Sequence, residues 1–167
     1  MIRDVPDFPK KGIIFKDITP LLGDPVAFQK TINTLKDRYA DKQLDAVVGV
    51  EARGFIFASA LSYALGIGGV MIRKPGKLPY KTFQETYSLE YGTDTVEVHQ
   101  DAFRDGQNIL VIDDVLATGG TLSATLDLIQ KNFKNVKVLE AAFVIELDFL
   151  NGREKLKDTP VYSIIHY

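Results

Sequence analysis

Two hydrophobic rhythms divide this chain. Asp24 followed by Pro25 is a helix start signal, and Phe28, Ile32, Leu35 and Tyr39 then recur at helical spacing as one apolar stripe. The apolar run Leu44 to Val50 predicts a strand buried on both faces. Gly54 to Leu65, rich in Ala and Leu, predicts a helix, and Gly69 to Ile72 the next strand, completing a βαβ unit. A second unit follows, with a strand over Asn108 to Asp113, a helix over Thr121 to Asn132 and a strand over Val136 to Val144. A last strand is expected near Val161 to Ile165. Between the units, Tyr87 to His99 alternates polar and apolar residues around Gly92, as an antiparallel hairpin does. The sum is an α/β fold: a mainly parallel twisted sheet flanked by helices on both faces, with right-handed crossovers and a protruding loop and hairpin.

The richest segment is Val111 to Thr121, Val-Ile-Asp-Asp-Val-Leu-Ala-Thr-Gly-Gly-Thr. Open α/β sheets bind ligands outside the carboxyl ends of their strands, where Asp113 and Asp114 could accept hydrogen bonds from neighbouring ribose hydroxyls. Ala117, Thr118, Gly119, Gly120 and Thr121 then form a small-residue loop opening a helix, whose N–H groups and dipole suit a phosphate. No Lys follows the glycines and the three-glycine dinucleotide spacing is missing, so ATPase and dehydrogenase readings lose their main support. At the end of the Leu44–Val50 strand, Glu51, Ala52, Arg53 and Gly54 offer backbone amides and a guanidinium to a pyrophosphate, or else an ordinary surface ion pair.

Composition narrows the classes. A chain of 167 residues, 46% hydrophobic, supports one domain, 1–167, with a sizeable core. A net charge of -2 carries no nucleic-acid footprint. Without cysteine, disulfides and thiolate chemistry are excluded, and His99 and His166 are too few and too far apart for a zinc site. The apolar stretches fall short of a membrane span, and Arg3, Asp4 and Asp7 stand where a signal peptide needs an apolar core. A soluble cytoplasmic protein is expected.

The Val111–Thr121 string resembles the phosphoribosyl pyrophosphate (PRPP) binding motif of the type I phosphoribosyltransferases, and the resemblance extends over nearly the whole chain. It implies that the loop 117–121 holds the 5-phosphate, Asp113 and Asp114 the ribose hydroxyls, and Glu51, Ala52, Arg53 and Gly54 the pyrophosphate. The segment Arg73-Lys74-Pro75-Gly76-Lys77-Leu78-Pro79-Tyr80-Lys81, too rich in Pro and Gly for regular structure, is either a solvated basic tract or a lid. The family favours the lid, with Arg73 and Lys77 on pyrophosphate and Arg73 reaching toward a neighbouring subunit, hence a homodimer.

Ser88-Leu89-Glu90-Tyr91-Gly92 resembles the adenine-specific members. It implies Glu90 as acceptor of the purine proton and Tyr91 as a PRPP contact, although an isolated hairpin Glu is more often merely solvated. The string Asp7 to Pro20 resembles the hood of those same members, within approximately residues 1–23. There the main chain of Ile14 and Lys16 would read the adenine edge, with Phe15, Val115 and Leu116 adding apolar contact or simply packing in the core. Lys11 departs from the family by standing where many relatives have proline. The implied reaction transfers the 5-phosphoribosyl group from PRPP to adenine, giving AMP and pyrophosphate, with Arg53 and Glu90 catalytic. Mg²⁺ would be bound mainly through PRPP, without a protein metal site. The alternatives are transfer to a 6-oxopurine and, further off, a non-catalytic PRPP-sensing regulator.

Overall fold

A computed structural model describes residues 1–88 and 92–167. The chain forms two compact units, Met1–Arg38 and Tyr39–Tyr167.

In the first unit, β1 (Arg3–Pro6) pairs antiparallel with β2 (Ile14–Asp17), followed by the short α1 (Thr19–Gly23). The second helix, α2 (Pro25–Tyr39), begins where the Asp-Pro signal places it, and Asp24 Oδ1 accepts the Ala27 N–H at 2.7 Å. Of its predicted stripe, Ile32, Leu35 and Tyr39 are buried and Phe28 half-buried.

The second unit is built on β3 (Ala46–Val50), whose five residues are all buried, followed by α3 (Gly54–Leu65) and β4 (Gly68–Ile72). The hairpin β5 (Thr82–Ser88) and β6 (Thr93–His99) comes next, then β7 (Asn108–Leu116), α4 (Gly120–Asn132), β8 (Lys137–Glu146) and β9 (Val161–His166). The sheet is parallel in the order β4-β3-β7-β8-β9. Its two faces are covered separately. Val48, Val50, Ile109, Val111 and Phe143 share a core with Leu122, Leu128 and Ile129 of α4. The alternate residues face α3, which lies so close that a Cβ on Gly49 would run into Ala58.

Strand order decides where a ligand fits. From β3 the chain steps outward to β4, whereas from β7 it steps the other way to β8 and β9, so the winding reverses between β3 and β7. The loops leaving their carboxyl ends diverge and open a crevice. Hairpin and helix are joined alongside it: Phe83 and Phe103 meet Phe133 edge to face at 5.5 and 4.8 Å, and Lys131 pairs with Glu85 at 2.5 Å.

Candidate active site

Asp113 and Asp114 do not end their strand, as the sequence suggested. β7 continues to Leu116 because Val115 and Leu116 pair with Ile145 and Glu146 of β8. Nor does the pair stand exposed: Asp114 is 3% exposed and Asp113 only partly open. Asp113 Oδ1 accepts the Asp114 N–H at 2.8 Å, and it lies 2.9 Å from where a Cβ on Gly54 would stand. Asp114 Oδ2 lies 2.8 Å from Arg53 Nε, an ion pair without hydrogen-bond alignment, so this buried oxygen has no hydrogen-bond partner among the described residues. Loss of solvation raises the Asp113 carboxyl well above the usual carboxylate range, and the neighbouring Asp114 charge adds to it. Burial also raises Asp114, against the pull of Arg53. A buried carboxyl pair with one oxygen lacking a hydrogen-bond partner among the described residues is suited to the hydroxyls of a sugar.

Below this pair the chain turns into α4. Gly119 takes φ +75°, Gly120 begins the helix, and no side chain caps it nor does any acid occupy its first turn. The first amides are thus open to an anion. Asp113 and residues 115–122 line a cavity of about 90 Å³ here, which brings Val115, Leu116, Ala117, Thr118, Gly119, Gly120 and Thr121 together. Leu116 itself is 1% exposed and belongs to the core.

On the β3 side, Glu51 anchors the basic segment. It accepts Lys77 Nζ at 2.6 Å, the Lys74 N–H at 2.8 Å and Arg73 Nε at 3.3 Å. Burial would raise its pKa, but the Lys77 and Lys74 hydrogen bonds and the charges of Lys77 and Arg73 outweigh this and hold it below the ordinary value. Arg73 also donates from Nη1 to the Lys77 carbonyl at 3.1 Å and bridges Glu97 through its backbone. The segment 74–81 forms neither helix nor strand, as its composition predicts. Ala52 and Arg53 complete the turn into α3.

Several participants gave no signal in the sequence. Lys74 pairs with Asp94, whose Oδ2 also accepts the Tyr87 hydroxyl at 3.0 Å, and that hydroxyl lies 3.0 Å from Thr121 Oγ1. Tyr87 thereby joins hairpin, basic segment and phosphate-type loop. Glu97, 3% exposed, accepts the Gly76 N–H at 3.1 Å and Gln84 Nε2 at 2.5 Å. Alternation along β6 sets Glu97 on the face opposite Val96 and Val98, so nothing in the strand pattern announces its burial.

In the first unit Ile14 is exposed, Phe15 meets Phe8 edge to face at 5.2 Å, and Lys16 pairs with Asp4 at 2.7 Å. Glu90 and Tyr91 lie outside the described residues. Glu146, Asp148 and His166 form a carboxylate-histidine group, but both Glu146 oxygens are engaged by Arg153, at 2.5 and 2.6 Å. Among the described residues no helix is long and apolar enough to cross a membrane.

A family model described as "Phosphoribosyl transferase domain" matches residues 25–166. The chain belongs to the phosphoribosyltransferase family. Within that family it is 57% identical over its whole length to adenine phosphoribosyltransferase of Chloroflexus aurantiacus, covering 95% of that protein. Among solved phosphoribosyltransferases, the adenine enzyme of Thermoanaerobacter pseudethanolicus matches with a TM-score of 0.95 at 47% identity, over 100% of this chain and 96% of that one. The Saccharomyces cerevisiae adenine phosphoribosyltransferase, complexed with an imino-altritol bisphosphate and adenine, matches at 0.90 and 41% identity, over 98% and 93%. The type I phosphoribosyltransferase fold expected from the sequence is the observed one.

Proposed function

We propose that the protein transfers the 5-phosphoribosyl group of PRPP to adenine, giving AMP and pyrophosphate. Full-length identity to adenine phosphoribosyltransferases supports the substrate pair, and nothing favours a 6-oxopurine acceptor or a silent sensor. The observation that carries the site assignment is the convergence, at the β3–β7 switch point, of an uncapped helix start, a buried carboxyl pair with an unsatisfied oxygen, and Arg53.

The loop 117–121 binds the 5-phosphate through its amides and the Thr118 and Thr121 hydroxyls. Asp114 Oδ2 accepts a ribose hydroxyl, and Asp113 holds the other. A purine ring nitrogen forms its bond to the anomeric carbon as the carbon–oxygen bond to pyrophosphate breaks, with inversion. The bonding electrons leave with pyrophosphate, and Glu90 takes the proton the purine sheds. Positive charge grows on the ribose and negative charge on the leaving group, where Arg53 and Lys77 stabilise it together with the Ala52 and Gly54 amides, while Arg73 reaches toward the neighbouring subunit's pyrophosphate. Arg53 and Lys77 are paired with Asp114 and Glu51 in the free protein, so pyrophosphate takes over cations already gathered at the crevice. Tyr91 completes the PRPP contacts.

Asp113 and Asp114 bring to the crevice carboxylate oxygens of the hard kind Mg²⁺ takes, one of them without a hydrogen-bond partner among the described residues. When bound, held mainly by substrate oxygens with Asp113 and Asp114 as the carboxylates on hand, the ion supplies charge neutralisation to the pyrophosphate. Residues 1–167 act as one phosphoribosyltransferase domain in which residues 1–23 serve as the hood, Ile14 and Lys16 reading the adenine edge and Phe15 and Val115 its ring, with Leu116 packing in the core. The protein is cytoplasmic and homodimeric; the exposed Ile56, Tyr63 and Met71 on α3 and the edge strand β4 support the dimer.

The test is to supply PRPP, Mg²⁺ and an equal mixture of adenine, hypoxanthine, guanine and xanthine, and to resolve the nucleotides by chromatography. AMP alone is expected. IMP, GMP or XMP would overturn the base assignment, and tight PRPP binding without any nucleotide would overturn the enzyme reading.

A further inference from the structure

The loop assigned to the 5-phosphate has little of its own to hold it in place. Ala117, Gly119 and Gly120 carry no side chain long enough to anchor them, yet a loop that binds through backbone amides must be held to a fraction of an ångström. What it rests on comes from beyond β8. A Cβ on Gly152 would collide with the Ala117 carbonyl oxygen and stand 3.0 Å from Leu116 Cδ1, and a Cβ on Gly119 would collide with the Gly152 carbonyl oxygen. Two backbones therefore lie directly against each other, a contact only glycine at both positions permits.

The Gly152 turn is tied to the sheet by an ion pair, beside the Glu154 N–H bond to the Asn151 carbonyl at 3.1 Å and the buried Leu156. Arg153 donates to Glu146 through Nε at 2.5 Å and Nη2 at 2.6 Å, a two-pronged contact, while its Nη1 reaches the Val161 carbonyl at 3.2 Å. Glu146 is 4% exposed and also accepts Ser163 Oγ at 2.6 Å. The Arg153 hydrogen bonds, first among several causes, hold its carboxyl below the ordinary value. Glu146 ends β8 opposite Leu116, the last residue of β7, and the Leu147 N–H closes onto the Leu116 carbonyl at 2.9 Å. The clamp and the loop thus grow from the same rung of the sheet.

We infer that Arg153, locked on Glu146, is a positioning residue for PRPP: it seats Gly152 beneath residues 117–119 and so sets how the loop amides meet the 5-phosphate. This rests on the reading that the loop holds that phosphate. Arg153 touches no reacting atom in this scheme, so its loss should act on one substrate.

The experiment compares the wild type with Arg153→Ala, Arg153→Lys and Gly152→Ala. The last changes no charge, so it tests the seat even if the loss of Arg153 impairs folding. The Michaelis constant of each substrate is measured, along with the affinity for ribose 5-phosphate by calorimetry, on protein confirmed folded by circular dichroism. The expected result is that the KM for PRPP and the Kd for ribose 5-phosphate rise about tenfold in Arg153→Ala and Gly152→Ala, with Arg153→Lys intermediate. The KM for adenine should stay within about twofold. Unchanged PRPP and ribose 5-phosphate constants in Gly152→Ala, or parallel rises for both substrates, would overturn the inference. Wild-type protein that turns over PRPP without measurable affinity for ribose 5-phosphate would instead overturn the phosphate-loop reading beneath it.

Discussion

Gly54→Ala puts a number on how tightly the two halves of the crevice are fitted. A Cβ there would stand 2.8 Å from the Ile112 carbonyl oxygen, 2.9 Å from Asp113 Oδ1 and 3.2 Å from Asp113 Cα. A relaxed carbon contact needs about 3.5 Å, so α3 and β7 must part by roughly half an ångström. The obstacle is central-strand backbone and a carboxylate hydrogen-bonded to its own chain, neither of which can swing aside. Forcing a methyl group into such a place costs about 1–3 kcal/mol. Replacing glycine in a helix returns at most about 1 kcal/mol, and less at the first helical position. The net loss of about 1–2 kcal/mol corresponds to a fall of roughly 2–8 °C in Tm for a domain of this size. Because the same displacement draws Arg53 away from Asp114, the KM for PRPP should rise as well. Thermal unfolding followed by circular dichroism, beside Gly68→Ala as a control, reads this directly. At Gly68 the nearest atom to an added Cβ is the Asp45 carbonyl oxygen at 3.6 Å, an ordinary contact. A Gly54→Ala protein melting within about a degree of that control would refute the reasoning.

Asp114→Asn keeps the shape and removes the charge facing Arg53; kcat/KM for PRPP should fall about 100-fold with little change in Tm, and equal losses of stability and activity would count against the assignment. Asp113→Asn should stabilise the protein while impairing it. The folded-state pKa of Asp113 is raised, so its favourable contribution is fully present below the unfolded value and is lost as pH rises through the folded one. The Tm advantage of the Asn variant should therefore grow as pH rises above the unfolded-state carboxylate pKa of about 4, and a difference flat in pH would contradict the burial of this carboxyl. Glu90→Gln should lower kcat about 100-fold while leaving the KM for PRPP nearly intact, and unchanged turnover would remove Glu90 from the mechanism.

What could be read from the sequence was whatever local pattern controls. The bounds of α3 match the run Gly54 to Leu65, and the Asp-Pro start of α2 reappears as a side-chain cap on Ala27. The reading failed where a distant partner decides. Two adjacent carboxylates look like a strand terminus, but β8 supplies partners for Val115 and Leu116, and Arg53 takes one of the charges, so β7 runs on. The hairpin begins at Thr82 rather than Tyr87 because each residue of β5 has a partner on β6, from Thr82 opposite His99 to Ser88 opposite Thr93. For the site, the strings around Arg53 and Gly119 announced the loops. Glu51 stands out in the sequence only beside Arg53; its ties to Lys74 and Lys77, like the burial of Glu97 against Gly76, come from residues distant in the chain, and the Gly152 contact has no local signature.

Tyr87 meets the first turn of α4, and Phe83 meets Phe133 just past its last, so β5 runs antiparallel along the helix like a slide on a rail. Strands cannot shift along such a rail by one residue without turning every inward side chain outward. Each residue added to both β5 and β6 would lengthen the paired arms by about 3.3 Å, so the reach of the hairpin along α4 is written into the chain as a count of residues.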